Sequence, residues 1–118
     1  MLWSKISTFI RDLALNGADL ITVPSVFTHI TGKDHWHSLL KARAIESGFY
    51  IVAPAQYGHY FNKRKSYGHS LIVSPWGKIL KDAKTEKNII ITDIDKHQVK
   101  IARSKIPSFY LNKKYKIG

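Results

Sequence analysis

The sequence predicts a layered α/β fold in which helices pack on a sheet. Helix and strand patterns follow one another in the order helix, strand, helix, strand, hairpin, strand, helix. The strand segments are nearly all apolar, which is typical of a sheet that is covered on both faces. The helices account for one cover only, so we expect these 118 residues to be part of a larger core.

The chain is predicted to open with a helix and a buried strand. Residues 7–16 place Ile10, Leu13 and Ala14 on one face of a helix, with a glycine directly after its end. Residues 20–23 form a short continuous apolar run that ends at a proline, as a strand buried on both faces does.

A loop, a second helix and a second strand are predicted to follow. Residues 25–33 have the composition of a loop, and Asp34 is the expected N-cap of a helix that runs to about Ser47. Gly48 is the expected stop of this helix. Residues 49–53 are then expected to form another buried strand.

The second half is predicted to contain a loop, a hairpin and a further strand. Residues 58–67 are polar and basic and are expected to form a loop. Residues 70–73 and 78–81 are expected to pair across the turn Ser-Pro-Trp-Gly at 74–77. Residues 88–93 carry the strongest strand signal of the chain, Ile-Ile-Ile-Thr.

The last predicted element is a helix that begins after Asp95. Gln98 stands three residues later, which resembles a capping box, and Pro107 prevents continuation of the helix. The remaining residues to Gly118 are basic and aromatic.

The composition indicates a globular protein and excludes several kinds of site. The hydrophobic fraction is 44%, and no apolar run approaches the length of about 20 residues that a membrane span needs. The first residues lack the apolar core of a signal peptide, so we expect a cytoplasmic location and no membrane partner. The chain contains no cysteine, which excludes disulfides, thiolate metal sites and a thiol nucleophile within these residues.

The net charge of +11 raises the question of nucleic-acid binding. Lysine supplies 15 of the basic residues and arginine only four, and the lysines are scattered along the chain. Phosphate recognition favours clustered charge and planar arginine forks, so a solvated basic surface is the favoured interpretation. A basic nucleic-acid-binding module is kept as an alternative function.

Several motifs give the chain a family resemblance. The run from Pro24 to Glu46 joins a strand end, a loop and a helix. It is accompanied, in order and with natural spacing, by five shorter stretches: LALNGADLITV, AQYG, YGHS, SPWG and RSKIP. Together they resemble the carbon–nitrogen hydrolase (nitrilase) superfamily, in its deaminated glutathione amidase-like branch.

The resemblance implies an α-β-β-α sandwich, of which this chain corresponds to the C-terminal half. We therefore expect residues 1–118 to be a partial carbon–nitrogen hydrolase domain. The family hydrolyses linear amides with a cysteine nucleophile, a glutamate base and a lysine that holds the oxyanion. The match places the nucleophile's position at Met1, and the glutamate and lysine belong to the first half. The expectation is an amidase-type fragment with no catalytic residue, no cofactor and no activity on its own.

Three residues after the first strand are candidates for the substrate site. The resemblance implies that Phe27, Thr28 and Thr31 line a pocket for a small-molecule amide, at the strand end where open α/β sheets bind ligands. The alternative is that Phe27 belongs to the core and that the threonines cap the loop. No metal site is expected, because His35 and His37 point to different faces of a helix and no carboxylate stands near them at ligand spacing.

Partner predictions follow from the missing half. A separate polypeptide could carry the glutamate, lysine and cysteine, which would make this chain one subunit of a split amidase. The resemblance also implies a possible homodimer formed through helices near the one at residues 35–47.

Overall fold

The structure, a computed structural model, describes residues 2–59, 65–86 and 88–107, with side chains from residue 8 onward. The helices are α1 (Leu2–Leu15), α2 (His29–Ser47) and α3 (Lys96–Lys105). The strands are β1 (Leu20–Thr22), β2 (Tyr50–Ala53), β3 (Tyr57–His59), β4 (Lys65–Tyr67), β5 (Leu71–Val73) and β6 (Ile79–Asp82).

The main sheet has four strands in the order β1-β2-β5-β6. β1 and β2 are parallel, with α2 as the crossover between them, whereas β5 and β6 are added antiparallel. The hairpin predicted for residues 70–81 is therefore confirmed, with a register shift between Ile72 and Val73. The two strands predicted in the first half are confirmed as well, each within one residue of its predicted ends.

The core lies between this sheet and the helices α1 and α2. On the sheet, Ile51 pairs with Val73 and Ala53 pairs with Leu71, and all four are fully buried. The helices contribute Ile10 and Ala14 from α1, and Trp36, Leu40 and Ala44 from α2. The apolar periodicity of the two helices thus buries one face of the sheet.

The opposite face of the sheet carries Tyr50, whose side chain is 4% exposed. The phenol oxygen of Tyr50 accepts a hydrogen bond of 3.2 Å from the backbone amide of Asp95, just before α3. α3 buries Val99 and Ala102, and neither belongs to the core shared by α1 and α2. The helix α3 therefore does not pack with α1 and α2 on the face of the sheet that they cover.

The second helix begins earlier than predicted. Thr28, not Asp34, is the N-cap, in an extended conformation with φ −62° and ψ 152°. The first turn closes through the hydrogen bond from Gly32 N to Thr28 O, at 2.8 Å. The helix passes closely over Tyr67 at this point, which requires a glycine: a Cβ on Gly32 would lie 2.4 Å from the Cβ of Tyr67. The helix ends as predicted at Gly48, whose φ of +62° closes it.

The loop predicted for residues 58–67 is wrong in its described part. β3 and β4 form a two-stranded antiparallel sheet, in which Tyr57 pairs with Tyr67. Ser66 is buried and donates from its hydroxyl to the carbonyl of Gly58 at 3.1 Å. These polar residues form strands because the Ser66 hydrogen bond and the Tyr67 ring stabilise the pairing, where other strands rely on alternating apolar residues.

The strand predicted for residues 88–93 is also wrong. This segment has no ladder partner in the described part of the chain, and Ile89 and Ile91 are 83% and 76% exposed. Apolar β-branched residues favour a strand only when neighbouring backbone and a covering layer are present.

The capping prediction for α3 is confirmed at its N-cap. The Asp95 carboxylate accepts from the amide of His97 at 2.9 Å, and the helix ends at Lys105, before Pro107. The basic tail of residues 108–118 lies outside the described residues. No helix in the described part of the chain is long and apolar enough to cross a membrane.

Candidate functional site

A pocket of about 680 Å³ lies at the carboxyl ends of the two parallel strands. It is formed by the residues that follow β1, those that follow β2, and the residue before β5: Pro24, Ser25, Val26, Pro54, Ala55, Gln56 and Ser70. This edge of an open α/β sheet is where ligands commonly bind, because the chain leaves the sheet there and exposes polar backbone. The pocket lies at the strand edge that the sequence predicts, although Phe27, Thr28 and Thr31 are not among its lining residues.

The floor of this pocket is held by backbone pairing that continues beyond the strands. Ser25 N donates to Pro54 O at 3.0 Å, and Gln56 N donates to Ser25 O at 3.2 Å. The hydroxyl of Ser70 accepts from Ala55 N at 2.9 Å and lies 3.3 Å from Ala55 O. These hydrogen bonds satisfy the polar backbone and fix the two strand ends against the entry to β5.

The candidate residues Phe27, Thr28 and Thr31 lie directly after the pocket-lining segment. The hydroxyls of Thr28 and Thr31 are 2.6 Å apart, and both residues are exposed on the first turn of α2. Phe27 is partly buried against the core, with its ring centroid 5.0 Å from that of Trp36. The structure brings the two threonines together and turns Phe27 toward the core. Their role in substrate binding stays a prediction.

A second group of polar side chains, which includes the residue before the pocket-lining Ser70, was missed by sequence reasoning. Asp82 accepts from His37 Nε2 at 2.9 Å, and one of its oxygens is 3.0 Å from His69 Nδ1. The Lys84 amide also donates to Asp82, at 2.7 Å. The sequence shows no carboxylate near the histidines at ligand spacing, yet the fold supplies one that lies 45 residues after His37.

The signal that could have found this group was the hairpin. β5 and β6 pair so that Leu71 is opposite Asp82, which places His69 close to the same strand end. His37 then approaches from α2, on the face opposite the exposed His35. The predicted divergence of His35 and His37 is thus confirmed, and its consequence is that only His37 reaches Asp82.

Electrostatics of this group favour a charged carboxylate. Burial raises the pKa of Asp82, but hydrogen bonds from His37, the Lys84 amide and His69 outweigh it, so the pKa lies below the ordinary value of 3.8. Burial, and then the negative charge of Asp82, raise the pKa of the Tyr67 phenol above 10.0.

The residues of the chain do not include a nucleophile for thiol catalysis. Cysteine is absent from all 118 residues. Of the two glutamates, Glu46 is exposed and paired with Arg43 at 2.7 Å, as the sequence spacing predicts, and Glu86 is exposed. The pocket is therefore not accompanied by a cysteine nucleophile in this chain.

Comparison with known proteins decides the family. A model of the carbon–nitrogen hydrolase family matches residues 6–104, most of the chain. The chain belongs to the carbon–nitrogen hydrolase family. The deaminated glutathione amidase of Synechocystis is 46% identical over 98 residues, which cover 83% of this chain and 36% of that protein. The resemblance to the deaminated glutathione amidase-like branch of the nitrilase superfamily is thus confirmed.

Solved structures of this hydrolase superfamily have the same fold. The NitFhit protein of C. elegans gives a TM-score of 0.84 at 38% identity, over 91% of this chain and 26% of that one. Nit3 of Saccharomyces cerevisiae, a member of branch 10 of the nitrilase superfamily, gives 0.80 at 30% identity, over 86% and 37%. The predicted α/β class of nitrilase type is confirmed. This carbon–nitrogen hydrolase chain spans about a third of the length of the curated relatives it matches.

Proposed function

We propose that this chain forms the substrate-pocket wall of an amidase that hydrolyses linear amides, similar to deaminated glutathione amidase. It would correspond to the C-terminal part of that domain. The observation that carries the proposal is the pocket at the carboxyl ends of β1 and β2, in a chain that belongs to the carbon–nitrogen hydrolases.

The course of α1 supports this placement. Residues 16–19 are a short connection from α1 to β1, so we expect the helix to run back over the sheet antiparallel to that strand. At 14 residues, α1 is about 21 Å long, which is enough to bring its amino end to the edge where the pocket lies. A nucleophile carried just before such a helix, as the family resemblance implies, would enter the pocket.

The chemistry requires groups that these residues do not contain. Thiol acyl transfer breaks the amide C–N bond after a thiolate attacks the carbonyl, and water then cleaves the thioester. The chain contains no cysteine. We therefore expect it to be inactive by itself, and the cysteine, glutamate and lysine to come from the remaining part of the domain or from a second polypeptide.

The first test is an ammonia assay on the purified chain with linear ω-amides, with and without iodoacetamide. We expect no ammonia above the heat-denatured control. Because the chain has no cysteine, any activity that iodoacetamide abolishes belongs to a contaminant. Alkylation-resistant turnover in proportion to this chain would overturn the expectation of inactivity.

The split-subunit alternative is tested by the coding sequence directly upstream. A reading frame that supplies the cysteine segment, and whose product co-purifies with this chain and releases ammonia only as a pair, would support it. In such an active pair, Thr31→Val is expected to raise KM about tenfold, or ~1.4 kcal/mol of binding, with little change in kcat. The exposed Thr85→Val is the matched control. Equal KM values for the two variants would show that Thr31 does not bind the substrate.

Other partner predictions remain for experiment. Nucleic-acid binding, the alternative drawn from the charge of +11, predicts affinity that falls steeply with salt concentration. The homodimer and the cytoplasmic location also stay predictions, which sedimentation and cell fractionation test.

A further inference from the structure

His37, His69 and Asp82 converge from three separate elements. His37 lies on α2, His69 lies two residues before β5, and Asp82 ends β6. One potential ligand atom from each of them lies within 4.8 Å of the others. Two imidazole nitrogens and one carboxylate oxygen are a ligand set that divalent zinc favours.

The spacing of these atoms is close to that of a tetrahedral metal site. Ligand atoms bonded to one zinc ion at their usual distances are about 3.4 Å apart. Asp82 Oδ2 is 2.9 Å from His37 Nε2, and Asp82 Oδ1 is 3.0 Å from His69 Nδ1. Small side-chain rotations would open these two separations and close the one between the imidazoles. The side chains of the three residues are only 18–27% exposed, which limits competition from water.

Neighbouring groups already orient two of the ligands. His37 Nδ1 faces the Tyr67 hydroxyl at 3.5 Å, which leaves Nε2 directed at the carboxylate. The Lys84 amide donates to Asp82 Oδ1 and fixes the carboxylate plane. Hydrogen bonds of this kind from outside the ligand set raise metal affinity by setting tautomer and direction.

His69 is held in an unusual conformation. Its φ is +57°, a left-handed value that a residue with a Cβ rarely adopts. Trp36 Nε1 donates to its carbonyl at 2.8 Å, and its own amide donates to Lys84 O at 2.9 Å. Its ring is stacked on Tyr67, with centroids 4.2 Å apart. The surroundings therefore maintain a strained backbone that points this imidazole at Asp82.

We propose that His37, His69 and Asp82 bind one divalent zinc ion per chain, at a site that braces α2 against the β5–β6 hairpin. Three protein ligands leave a fourth tetrahedral position for water. No metal was expected partly because no carboxylate is close to the histidines in sequence. The fold supplies one from a distant segment, at Asp82. The site does not depend on amide hydrolysis, so it stands or falls independently of the proposed function.

The test uses the untagged 118-residue chain, freed of metal with a chelator and then dialysed. Zinc titration followed by calorimetry is expected to give one site per chain with a dissociation constant in the micromolar range or below, and zinc is expected to raise Tm. Cobalt is expected to give the intense visible absorption of a tetrahedral site. Failure of wild-type protein to bind zinc at a 1:1 ratio, or a cobalt spectrum of the hydrated ion alone, would overturn the proposal.

Two ligand variants and one control locate the site. Asp82→Asn and His69→Gln are expected to weaken zinc binding at least tenfold, and His35→Ala, on the same helix but exposed, is expected to leave it unchanged. Far-UV circular dichroism checks that each variant is folded. Because the wild-type cobalt spectrum does not depend on variants, a variant that fails to fold still leaves the proposal testable. Zinc binding that is equally strong in Asp82→Asn and wild type contradicts it.

Discussion

Arg103 in α3 donates from Nη2 to the backbone carbonyl of Ala18 at 2.7 Å, across 85 residues of sequence. Its Nε donates to the carbonyl of Ser47 at 3.2 Å, at the last residue of α2. The aliphatic part of the same side chain lies over Gly48, where a Cβ would be 2.8 Å from Arg103 Cγ. One guanidinium thus ties the last helix to the α1–β1 connection and to the end of α2.

Replacing Arg103 by alanine is expected to lower the free energy of unfolding by about 2–3 kcal/mol. The reason is that two backbone carbonyls lose a charged donor, and such hydrogen bonds contribute about 1.5–3 kcal/mol. Arg103→Lys should recover only part of this loss, because one ammonium cannot reproduce the fork. Urea denaturation followed by circular dichroism measures the change. Lys100→Ala, exposed on the same helix, is the control, and an equal loss in both variants would contradict the assignment.

Gly32 permits the close approach of α2 to Tyr67. Gly32→Ala is expected to destabilise the fold by about 1–3 kcal/mol, although alanine is the better helix former, because its Cβ would overlap the Tyr67 Cβ. Both of the atoms that meet are fixed to backbone, so rotamer changes cannot relieve the overlap. The exposed Ser38→Ala on the same helix should be neutral or slightly stabilising. A stabilised Gly32→Ala variant would show that β4 can move away from the helix.

The sequence predicted the layers of the fold well because local patterns determine them. Apolar runs ended by Pro24 and Pro54, and a helix ended by Gly48, correspond to β1, β2 and α2 in the structure. The Ser-Pro-Trp-Gly turn likewise gave the hairpin of β5 and β6. In each case one stretch of chain contains both the element and its termination signal.

The errors concern contacts between distant segments. Gly32 was placed in a loop because its reason for being in a helix, the close approach of Tyr67, comes from a residue 35 positions later. The isoleucine-rich run at 88–93 lacks a partner strand in the described residues, and no local pattern reports that. The same limit hid the His37–Asp82 contact. The position of the pocket at the carboxyl end of β1 could be predicted, but the cluster of His37, His69 and Asp82 could not.

The depressed pKa of Asp82 predicts an acid-sensitive part of the stability. Burial opposes ionisation, but hydrogen bonds from His37, the Lys84 amide and His69 outweigh burial, so the folded chain holds this carboxylate ionised below pH 3.8. The nearby Tyr67 phenol has its pKa raised above 10.0 and stays neutral in this range. The contribution is therefore fully present above pH 3.8 and decreases as the pH falls through the lower, folded-state pKa.

This pH dependence is measured as a difference between proteins. In chelator-treated samples, the stability advantage of wild type over Asp82→Asn should shrink as the pH falls below about pH 3.8. Asp34→Asn, an exposed carboxyl on α2, is the matched control. An advantage that grows as the pH falls below about pH 3.8 would mean that the folded state raises this pKa, contrary to the contacts.

The two tryptophans whose side chains the structure describes should respond very differently to the same substitution. Trp36 is 1% exposed and donates from Nε1 to His69 O at 2.8 Å, whereas Trp76 is 56% exposed. Trp36→Phe removes the donor, leaves a partly buried carbonyl unpaired and opens a cavity, so the expected loss is about 2–4 kcal/mol. Trp76→Phe should change stability by less than about 0.5 kcal/mol.

The Trp36 variant also tests whether the left-handed backbone of His69 depends on this hydrogen bond. Loss of the indole donor should free the His69 carbonyl and increase amide hydrogen exchange around residues 68–70, beyond the change in global stability. Trp76→Phe provides the baseline for exchange. If Trp36→Phe lowers stability while exchange at residues 68–70 rises only with global unfolding, the tryptophan contributes packing alone, and other contacts hold His69 against Asp82.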